Sequence, residues 1–405
     1  MLLLQIIFWV SFIALAHTYV VYPLLLSLLA RFTSPLPPFQ GGMNSQQPIS
    51  ILIAAYNEEK VIKEKLGSIF NSNYPKELIE VIVGSDASTD RTNEIVKSFP
   101  NVQLVEFKGR SGKVKIINHL KTLAKYDILI LTDANVMFDK NTIQELTKHF
   151  GDPAIALVDS NMINPVGRTS NGVNIIQGKG ISKAESTYIR GEVGIKNNEG
   201  KVFGMMMGPF GGCFAVLKSY YENVPENFLV DDFYLNMKVL EKGGRAISEI
   251  NARVYEKVPS DWKVEFKRKI RIATGSYQNM FEFYHLLFRF NALSFCFLSH
   301  KVLRWKGPFF MIALYTTSFL FSYWLYLYDV LAEGTVQIYW QQILFLLQNL
   351  LIMLFMLDLL LSALKIHFAP TRLVTHFLTT NLALLIGFFK FLGGVKSSIW
   401  NPTKR

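Results

Sequence analysis

The chain has 405 residues, half of them hydrophobic, and a formal net charge of +11. This composition is too apolar for an ordinary soluble enzyme, and two cysteines, Cys213 and Cys296, exclude a disulfide framework. The first 30 residues contain no Asp, Glu, Lys or Arg. About 20 apolar residues cross a bilayer core as a helix, so segment 1–31 predicts an N-terminal transmembrane helix. A cleaved signal peptide is the alternative, but it would need a basic start and a shorter apolar stretch.

Further apolar runs at 308–328, 343–364 and 373–389 predict a C-terminal membrane region with two or three spans. Residues 251–307 just before it carry eleven Lys or Arg against four Asp or Glu. Because basic residues beside a span favour the cytoplasmic side, we expect the central domain to be cytoplasmic in a multi-pass protein of the cell (inner) membrane. The third run leaves the side of the tail open, since it is either an outward span or an interfacial segment. Interleaved aromatic residues disfavour nucleic acid as a partner of the basic stretch and favour the lipid bilayer.

The central part of the chain alternates between short apolar runs and segments with helical spacing. After a Pro-rich linker, the strand pattern falls at Ile49–Ala55, 79–83, 103–107 and Ile128–Asp133, and the helical pattern at 58–72, 92–99 and 113–124. Strands alternating with helices predict a parallel sheet of the α/β class. In such a sheet ligands bind beyond the carboxyl ends of the strands.

Three of the four predicted strands deliver a carboxylate to that edge, at Glu58, Asp86 and Asp133. Helix capping is the alternative explanation for any one of them, and it is the preferred one for Asp90. A divalent cation, Mg²⁺ or Mn²⁺, bridging a nucleoside diphosphate would explain the cluster and stabilise a departing diphosphate. The segment Gly109-Arg-Ser-Gly-Lys113 lacks the spacing and the Ser/Thr of a P-loop, which disfavours a nucleotide triphosphatase.

The order of these motifs resembles that of family 2 inverting glycosyltransferases of the GT-A fold, in their membrane-bound exopolysaccharide or poly-N-acetylglucosamine synthase-like branch. The likeness runs over about residues 47–280. It rests on Ala55-Tyr-Asn-Glu58, Ser85-Asp-Ala-Ser-Thr-Asp90, Gly112-Lys113 with Asn118, Thr132-Asp-Ala-Asn135, Gly208 to Gly212, Val230-Asp-Asp232, and Glu256 with Pro259, Arg268, Arg271 and Gly275.

This resemblance implies an α/β fold of GT-A type (Rossmann-like) that binds a nucleotide-sugar and is flanked by transmembrane helices. The expected division is 1–31 N-terminal helix, 32–48 linker, 49–280 GT-A domain, 281–307 basic and aromatic interface helices, 308–395 membrane region and 396–405 basic tail. It also implies transfer from a UDP-sugar to a glycan or lipid-linked acceptor at the cytoplasmic face, in polysaccharide or glycolipid synthesis, with accessory synthase subunits as possible partners.

The resemblance also assigns roles to individual residues. Asp232 would be the general base, and the acceptor side would include Gly211, Gly212 and Asp231. Asp133 and Asn135 would hold Mg²⁺ or Mn²⁺. The donor-binding residues would be Ala55, Tyr56, Glu58, Asp86, Lys113, Asp133, Arg268 and Arg271. A lipid-facing basic stripe is the alternative for the two arginines, which share a helix face at a spacing of three.

Two departures from the family pattern bear on the activity. Asn135 replaces the second Asp of the metal motif, and Ile272 replaces the tryptophan that stacks on the acceptor sugar in processive synthases. Transfer of one or a few sugars is therefore favoured over processive synthesis. The same departures keep an alternative open, a catalytically silent nucleotide- or glycan-binding subunit of a membrane synthase complex. A transporter is disfavoured by so few spans around a large polar domain.

Overall fold

The computed structural model describes residues 2–33, 46–163, 167–168, 174–175, 181–256, 262–331, 340–364, 366 and 368–399. Within these, only the backbone is described at 167–168, 174–175, 181–188 and 328–331. The linker residues 34–45, Pro259 and the tail residues 400–405 lie outside the described residues.

Eight of the ten strands in the described residues form one mixed sheet in the order β3-β2-β1-β4-β9-β6-β10-β5, and β7 and β8 pair separately. β1, β2, β3 and β4 are parallel to one another, whereas β9 is antiparallel to both of its neighbours. The strands are β1 Ile49–Ala55, β2 Ile79–Ser85, β3 Val102–Glu106, β4 Ile128–Asp133, β5 Val136–Phe138, β6 Ile155–Ile163, β7 Gly167–Arg168, β8 Asn174–Ile175, β9 Cys213–Leu217 and β10 Arg245–Glu256.

The helices cover both faces of the sheet and form the membrane region. They are α1 Leu2–Ala16, α2 Tyr22–Phe32, α3 Ile62–Phe70, α4 Thr92–Lys97, α5 Lys113–Leu123, α6 Thr142–Thr147, α7 Ile181–Phe203, α8 Asp231–Glu241, α9 Trp262–Glu282, α10 Ala292–Cys296, α11 Leu303–Trp305, α12 Gly307–Leu331, α13 Trp340–Ala363 and α14 Ala369–Leu392. A π-helical turn at His17–Val21 joins α1 to α2, and another at Phe297–Val302 joins α10 to α11.

The four strands predicted from the sequence all form, and they lie side by side in the parallel half of the sheet. The predicted parallel arrangement is confirmed for these four strands, and the whole sheet is mixed, because β9 returns antiparallel between β4 and β6. This insertion has a consequence for the site. The loop that precedes β9 runs to the same edge as the carboxyl ends of β1, β2 and β4, so it faces the acidic strand ends.

Two apolar clusters fill the two faces of the sheet. One lies against α3, α4 and α6 and includes Leu66 and Ile143, both fully buried. The other includes Leu120 of α5, Leu235 of α8 and Tyr277 of α9, and it extends to Trp305 beside the membrane region. The α/β domain and the helices beside the membrane region therefore share a continuous core on one side of the sheet.

Four helical segments in the described part of the chain are long and apolar enough to cross a membrane: Leu2–Phe32, Gly307–Leu327, Trp340–Ala363 and Ala369–Leu392. The last one packs against the polar domain. Along its length α14 packs on α9, from His376, 3.2 Å from the Lys269 Nζ, to Phe391, whose ring lies 4.9 Å from that of Phe281. Gly387 allows the closest approach, because a Cβ there would lie 2.6 Å from the Cβ of Ala273.

The segment 281–307, predicted to contain interface helices, is divided into short helical pieces. A 3-10 turn at Tyr284–Phe288 is followed by a break, where Phe290 has a φ of 48° and Asn291 is extended. The Asn291 side chain then accepts a hydrogen bond from the Ser294 amide and starts α10. An Asn in this position favours a new helix start over continuation of the old one, because its side chain satisfies a free N–H group.

The N-terminal helix is tied to the domain by buried carboxylates on α7. The Tyr22 hydroxyl donates to Glu199 at 2.7 Å, and His300 lies between Glu199 and Glu192 at 2.8 and 2.9 Å. Glu199 also accepts the backbone N–H of Met207 at 2.9 Å. The N-terminal apolar helix and the residue just before the glycine-rich loop, residues 208–212, therefore share one carboxylate.

Candidate active site

The centre of the candidate site is a lysine bridging two carboxylates from different elements. Lys113 is the first residue of α5, and its Nζ lies 2.8 Å from Asp133 at the end of β4 and 3.7 Å from Asp231 at the start of α8. Burial opposes its charge, but Asp133 and Asp231 outweigh burial and raise the pKa of the Lys113 ammonium. Residues 118 positions apart in sequence thus meet where the parallel strands end.

Asp232 lies next to this ion pair and is enclosed by the glycine-rich loop. Its pKa is raised to about 7, first by burial and then by the charge of Asp231, while Lys113 lowers it. Gly211 has a φ of 78°, and a Cβ built on it would lie 2.5 Å from the Asp232 Oδ2. A side chain at this position would therefore occupy the space of the carboxylate. Glycine fits here because it adopts a positive φ without strain and because it has no Cβ.

Gly212 and Asp133 are joined through the backbone. The carbonyl of Gly212 accepts the N–H of Asp133 and the hydroxyl of Thr132, both at 3.0 Å. These two hydrogen bonds fix the position of the glycine-rich loop relative to the turn that carries Asp133.

The two predicted arginines lie on α9 at the same edge, with different partners. Arg268 lies 3.9 Å from Glu256 and 3.6 Å from Glu265. Burial and then the adjacent Arg268 lower the pKa of Arg271, whereas Asp231, Asp133 and Asp232 raise it. Arg271 is therefore half-buried and within electrostatic range of all three carboxylates, which a lipid-facing basic stripe would not explain.

Asn135 is held by a carboxylate of the neighbouring strand. Its amide donates to Glu256 at 3.0 Å, which leaves the carbonyl oxygen as the part of the side chain that accepts hydrogen bonds or binds a cation. Among the described residues no group of three or more His, Cys, Asp or Glu forms a metal cage.

Asp86 organises the loop before Lys113. Its carboxylate accepts the N–H groups of Ser111 and Gly112 and pairs with the Arg110 Nε at 3.0 Å. The Arg110 guanidinium lies 3.3 Å from the centre of the Tyr56 ring. A planar cation stacked on an aromatic ring offers a flat surface next to a carboxylate.

The first strand end has a strained turn. Asn57, with a φ of 52°, accepts the Thr89 N–H at 2.8 Å. The N–H of Glu58 donates to the Thr92 hydroxyl at 2.8 Å, which leaves the half-buried Glu58 side chain at the same edge. Asp90 accepts the N–H and hydroxyl of Thr92 at the start of α4, although Arg91 and not Asp90 is the N-cap residue of that helix.

Three residues near the site were missed by sequence reasoning. Arg110 was considered only as part of a rejected P-loop. Lys196 of α7 lies 3.4 Å from buried Asp159 and 3.4 Å from the centre of the Phe210 ring, in the glycine-rich loop. Lys65 lies beneath the Asp133 turn. Of the three, only Lys65 could have been found from the sequence, because it is a polar residue at a core position of a helical pattern.

The segment after α14 returns to the site. The Ser398 hydroxyl donates to the carbonyl of Glu226 at 2.6 Å, and Asn227 donates to the carbonyl of Val395 at 3.3 Å. A Cβ on Gly112, which has a φ of 83°, would lie 3.3 Å from both Ser398 and Ile399. This segment, 395–399, therefore packs against the loop that carries Lys113.

Comparison with known families matches residues 50–224 to the model described as glycosyl transferase family 2. A probable glycosyltransferase of Bacillus subtilis, YdaM, is 25% identical over 268 residues, which cover 64% of this chain and 62% of that protein. A poly-beta-1,6-N-acetyl-D-glucosamine synthase of Staphylococcus aureus is 22% identical over 248 residues, covering 58% of this chain and 56% of that one. The matched region thus spans less than two thirds of these relatives.

Among solved structures, the chain is similar to a mannosyltransferase, PcManGT, from Pyrobaculum calidifontis in complex with GDP-Man and Mn²⁺. The two share 20% sequence identity with a TM-score of 0.65 over 95% of this chain and 99% of that one. At this identity the similarity shows the fold, which is of GT-A type and includes the helices flanking the domain.

Proposed function

We propose that this chain acts as a family 2 glycosyltransferase, which transfers a sugar from a nucleoside diphosphate donor to an acceptor hydroxyl with inversion at the anomeric carbon. The observation that carries the proposal is the Lys113 ammonium bridging Asp133 and Asp231, with Asp232 beside it. It combines a cation for a diphosphate with a carboxylate whose affinity for a proton suits general base catalysis.

The donor is proposed to lie across the ends of β1, β2 and β4. Tyr56 with Arg110 stacked on it offers a surface for the nucleobase, and Glu58 and Asp86 offer acceptors for polar groups of the nucleoside. Lys113 and Arg271 provide the positive charge next to the diphosphate. Charge-assisted hydrogen bonds of this kind are stronger than neutral ones, which favours an anionic ligand.

The residues fit a divalent cation that arrives with the diphosphate rather than one held in a protein cage. Mg²⁺ in nucleotide sites is commonly bound by one or two side-chain oxygens together with substrate phosphates and water. Asp133 and the carbonyl oxygen of Asn135 would supply those side-chain oxygens. When bound, the cation would act as a Lewis acid that stabilises the negative charge of the leaving diphosphate.

Asp232 is proposed to accept the proton of the acceptor hydroxyl. The hydroxyl oxygen then forms a bond to the anomeric carbon as the bond from that carbon to the diphosphate breaks, and the electron pair leaves with the diphosphate. A single displacement from the opposite face inverts the configuration and needs no covalent glycosyl-enzyme. A base with a pKa near 7 combines an available ionised form with sufficient basicity.

A UDP-sugar is proposed as the donor, with UDP-N-acetylglucosamine first, because relatives are named poly-beta-1,6-N-acetyl-D-glucosamine synthases. The similar archaeal structure was solved with GDP-Man, so GDP-mannose is the donor to test second. The acceptor is proposed to be a glycan or lipid-linked sugar, and Ile272 favours transfer of one or a few residues, because an aliphatic side chain gives no aromatic stacking surface.

The domain is proposed to lie at the cytoplasmic face, with α14 at the membrane surface. α14 packs along α9 and the segment after it contacts the Gly112 loop, so a full crossing would carry that segment away from the domain. This arrangement also places the basic tail on the same side as the other basic residues, as the distribution of positive charge in membrane proteins favours.

The test is UDP or GDP release from a panel of nucleotide-sugars by the purified protein in lipid, with and without Mn²⁺. Asp232→Asn keeps size and hydrogen bonding but removes the base, so turnover should fall by at least about 100-fold while donor binding persists. Unchanged turnover in a folded Asp232→Asn protein would reject the assigned base. Donor binding without turnover in the wild type across a broad acceptor panel would support a silent subunit instead.

A further inference from the structure

A fully buried lysine lies outside the set of residues that the proposed reaction uses. Lys65 belongs to α3, and its side chain has no exposure to solvent. Its Nζ donates to the Thr132 hydroxyl at 2.9 Å and to the carbonyl of Val136, and it lies 3.6 Å from the centre of the Phe138 ring. Its ammonium thus contacts a hydroxyl, a carbonyl and an aromatic ring, and the charge of Asp133 also attracts it.

This placement is unfavourable for stability alone. Burial of an ammonium removes its hydration, and a hydroxyl, a carbonyl and a ring compensate less than a carboxylate would. Burial accordingly lowers the pKa of Lys65 to about 7. A methionine of similar length would fill the same space without this penalty.

The two hydrogen-bond acceptors of Lys65 bracket one turn. Thr132 precedes Asp133 at the end of β4, and Val136 follows Asn135 at the start of β5. The Thr132 hydroxyl bridges two groups, because it accepts a hydrogen bond from Lys65 and donates one to the carbonyl of Gly212 at 3.0 Å. One ammonium thus fixes both ends of the turn that carries Asp133 and Asn135, and links it to the glycine-rich loop.

We propose that Lys65 is a positioning residue, which holds the Thr132–Val136 turn so that Asp133 and Asn135 present their oxygens to the diphosphate of the donor and its cation. The inference rests on the proposed function only in that the turn faces a nucleoside diphosphate. Lys65 itself does not touch the donor, since Thr132 and Val136 lie between them. Residues that orient ligand-bearing side chains typically change affinity by about 10-fold to 100-fold when they are replaced.

The decisive measurement is nucleotide affinity by calorimetry in the presence of Mn²⁺, with UDP or GDP, whichever the wild type binds. Lys65→Met should weaken binding by about 10-fold or more while thermal unfolding stays cooperative. Lys63→Met is the matched control, because Lys63 lies on the same helix with its side chain exposed, and it should bind like the wild type. Equal affinity of folded Lys65→Met and wild type would overturn the inference.

If Lys65 only stabilised the fold, Lys65→Met would weaken nucleotide binding whether or not the residues of the turn are present. A double-mutant cycle therefore separates a structural role from a positioning role. In an Asp133→Ala/Asn135→Ala background Lys65→Met should change nucleotide affinity by less than about twofold, because both residues that it positions are gone. A full additional loss there would overturn the proposal.

Thr132→Val decides the matter should Lys65→Met not fold. It keeps the shape of the side chain, removes only the hydroxyl between Lys65 and Gly212, and should weaken nucleotide binding in the same direction. Unchanged affinity in this variant would contradict the inference. Absence of both UDP and GDP binding to the wild type would instead overturn the proposed function itself.

Discussion

Gly211→Ala is expected to damage catalysis far more than stability. The Cβ of an alanine at Gly211 would lie 2.5 Å from the Asp232 Oδ2, whereas ordinary van der Waals contact begins at 3.4 Å. Relief of this contact moves the carboxylate by roughly 1 Å, and a misplacement of that size in a reacting group can cost about 100-fold in rate. The φ of 78° adds about 1 kcal/mol of backbone strain for any residue with a side chain.

Gly243→Ala separates the strain from the displaced base. Gly243 follows α8 with a φ of 83°, and a Cβ there would meet nothing within 4 Å. Both variants should therefore lose a similar amount of stability, about 1 kcal/mol, in a denaturant titration. Only Gly211→Ala should lose turnover.

The assay is initial-rate measurement of nucleotide release at saturating donor, with kcat and KM determined separately for both variants. We expect kcat of Gly211→Ala to fall by about 100-fold with little change in the KM for the donor, because the donor-binding residues are untouched. Equal kcat values for the two glycine variants would refute the placement of Asp232 as base against this loop.

The remaining predictions concern protonation, the cation and membrane orientation. Because burial and Asp231 raise the pKa of Asp232 to about 7 and the ionised form is the base, kcat/KM should rise with pH and level off above about 7; a limb near pH 4 would contradict this. Equilibrium dialysis should detect Mn²⁺ binding only with nucleotide present, and Asn135→Ala should weaken it by about 10-fold; tight binding without nucleotide would reject a cation shared with the diphosphate. In oriented vesicles an impermeant maleimide should label Ser397→Cys from the same side as exposed Lys125→Cys, since both natural cysteines are buried; labelling from opposite sides would make α14 a span.

The first half of the domain was largely predictable from local patterns. β1 and β4 begin and end at the predicted residues, because short apolar runs bounded by polar strand ends leave little freedom in register. Helices were less well bounded. α3 starts at Ile62 rather than at residue 58, because Glu58 and Glu59 hydrogen-bond to Thr92 and Asp90 in a loop contact that no local pattern encodes.

The second half depended on contacts between distant segments. Nothing in the run Cys213–Leu217 indicates that β9 inserts antiparallel between β4 and β6, since a short apolar strand fits either direction. The apolar length of the run 373–389 left both a span and an interfacial segment open, and hydropathy does not indicate that Gly387 lets α14 approach α9 closely. Lys196 looks like a surface residue in sequence and becomes buried only through the assembled fold, whereas Lys65 stands at a core position of its helix.

One lysine gives the adjacent carboxylates of α8 different surroundings. Lys113 pairs directly with Asp231, while burial and the charge of Asp231 raise the pKa of Asp232, and Lys113 opposes that rise only partly. A diphosphate next to Lys113 would offset much of this opposing charge and raise the pKa of Asp232 further. A base that is ionised near neutral pH therefore requires a compensating cation in the donor complex. Arg271 supplies one such charge, and a divalent cation on Asp133 would supply the rest. The rise of kcat with pH, which reports the donor complex, should therefore move to higher pH when Mn²⁺ is limiting.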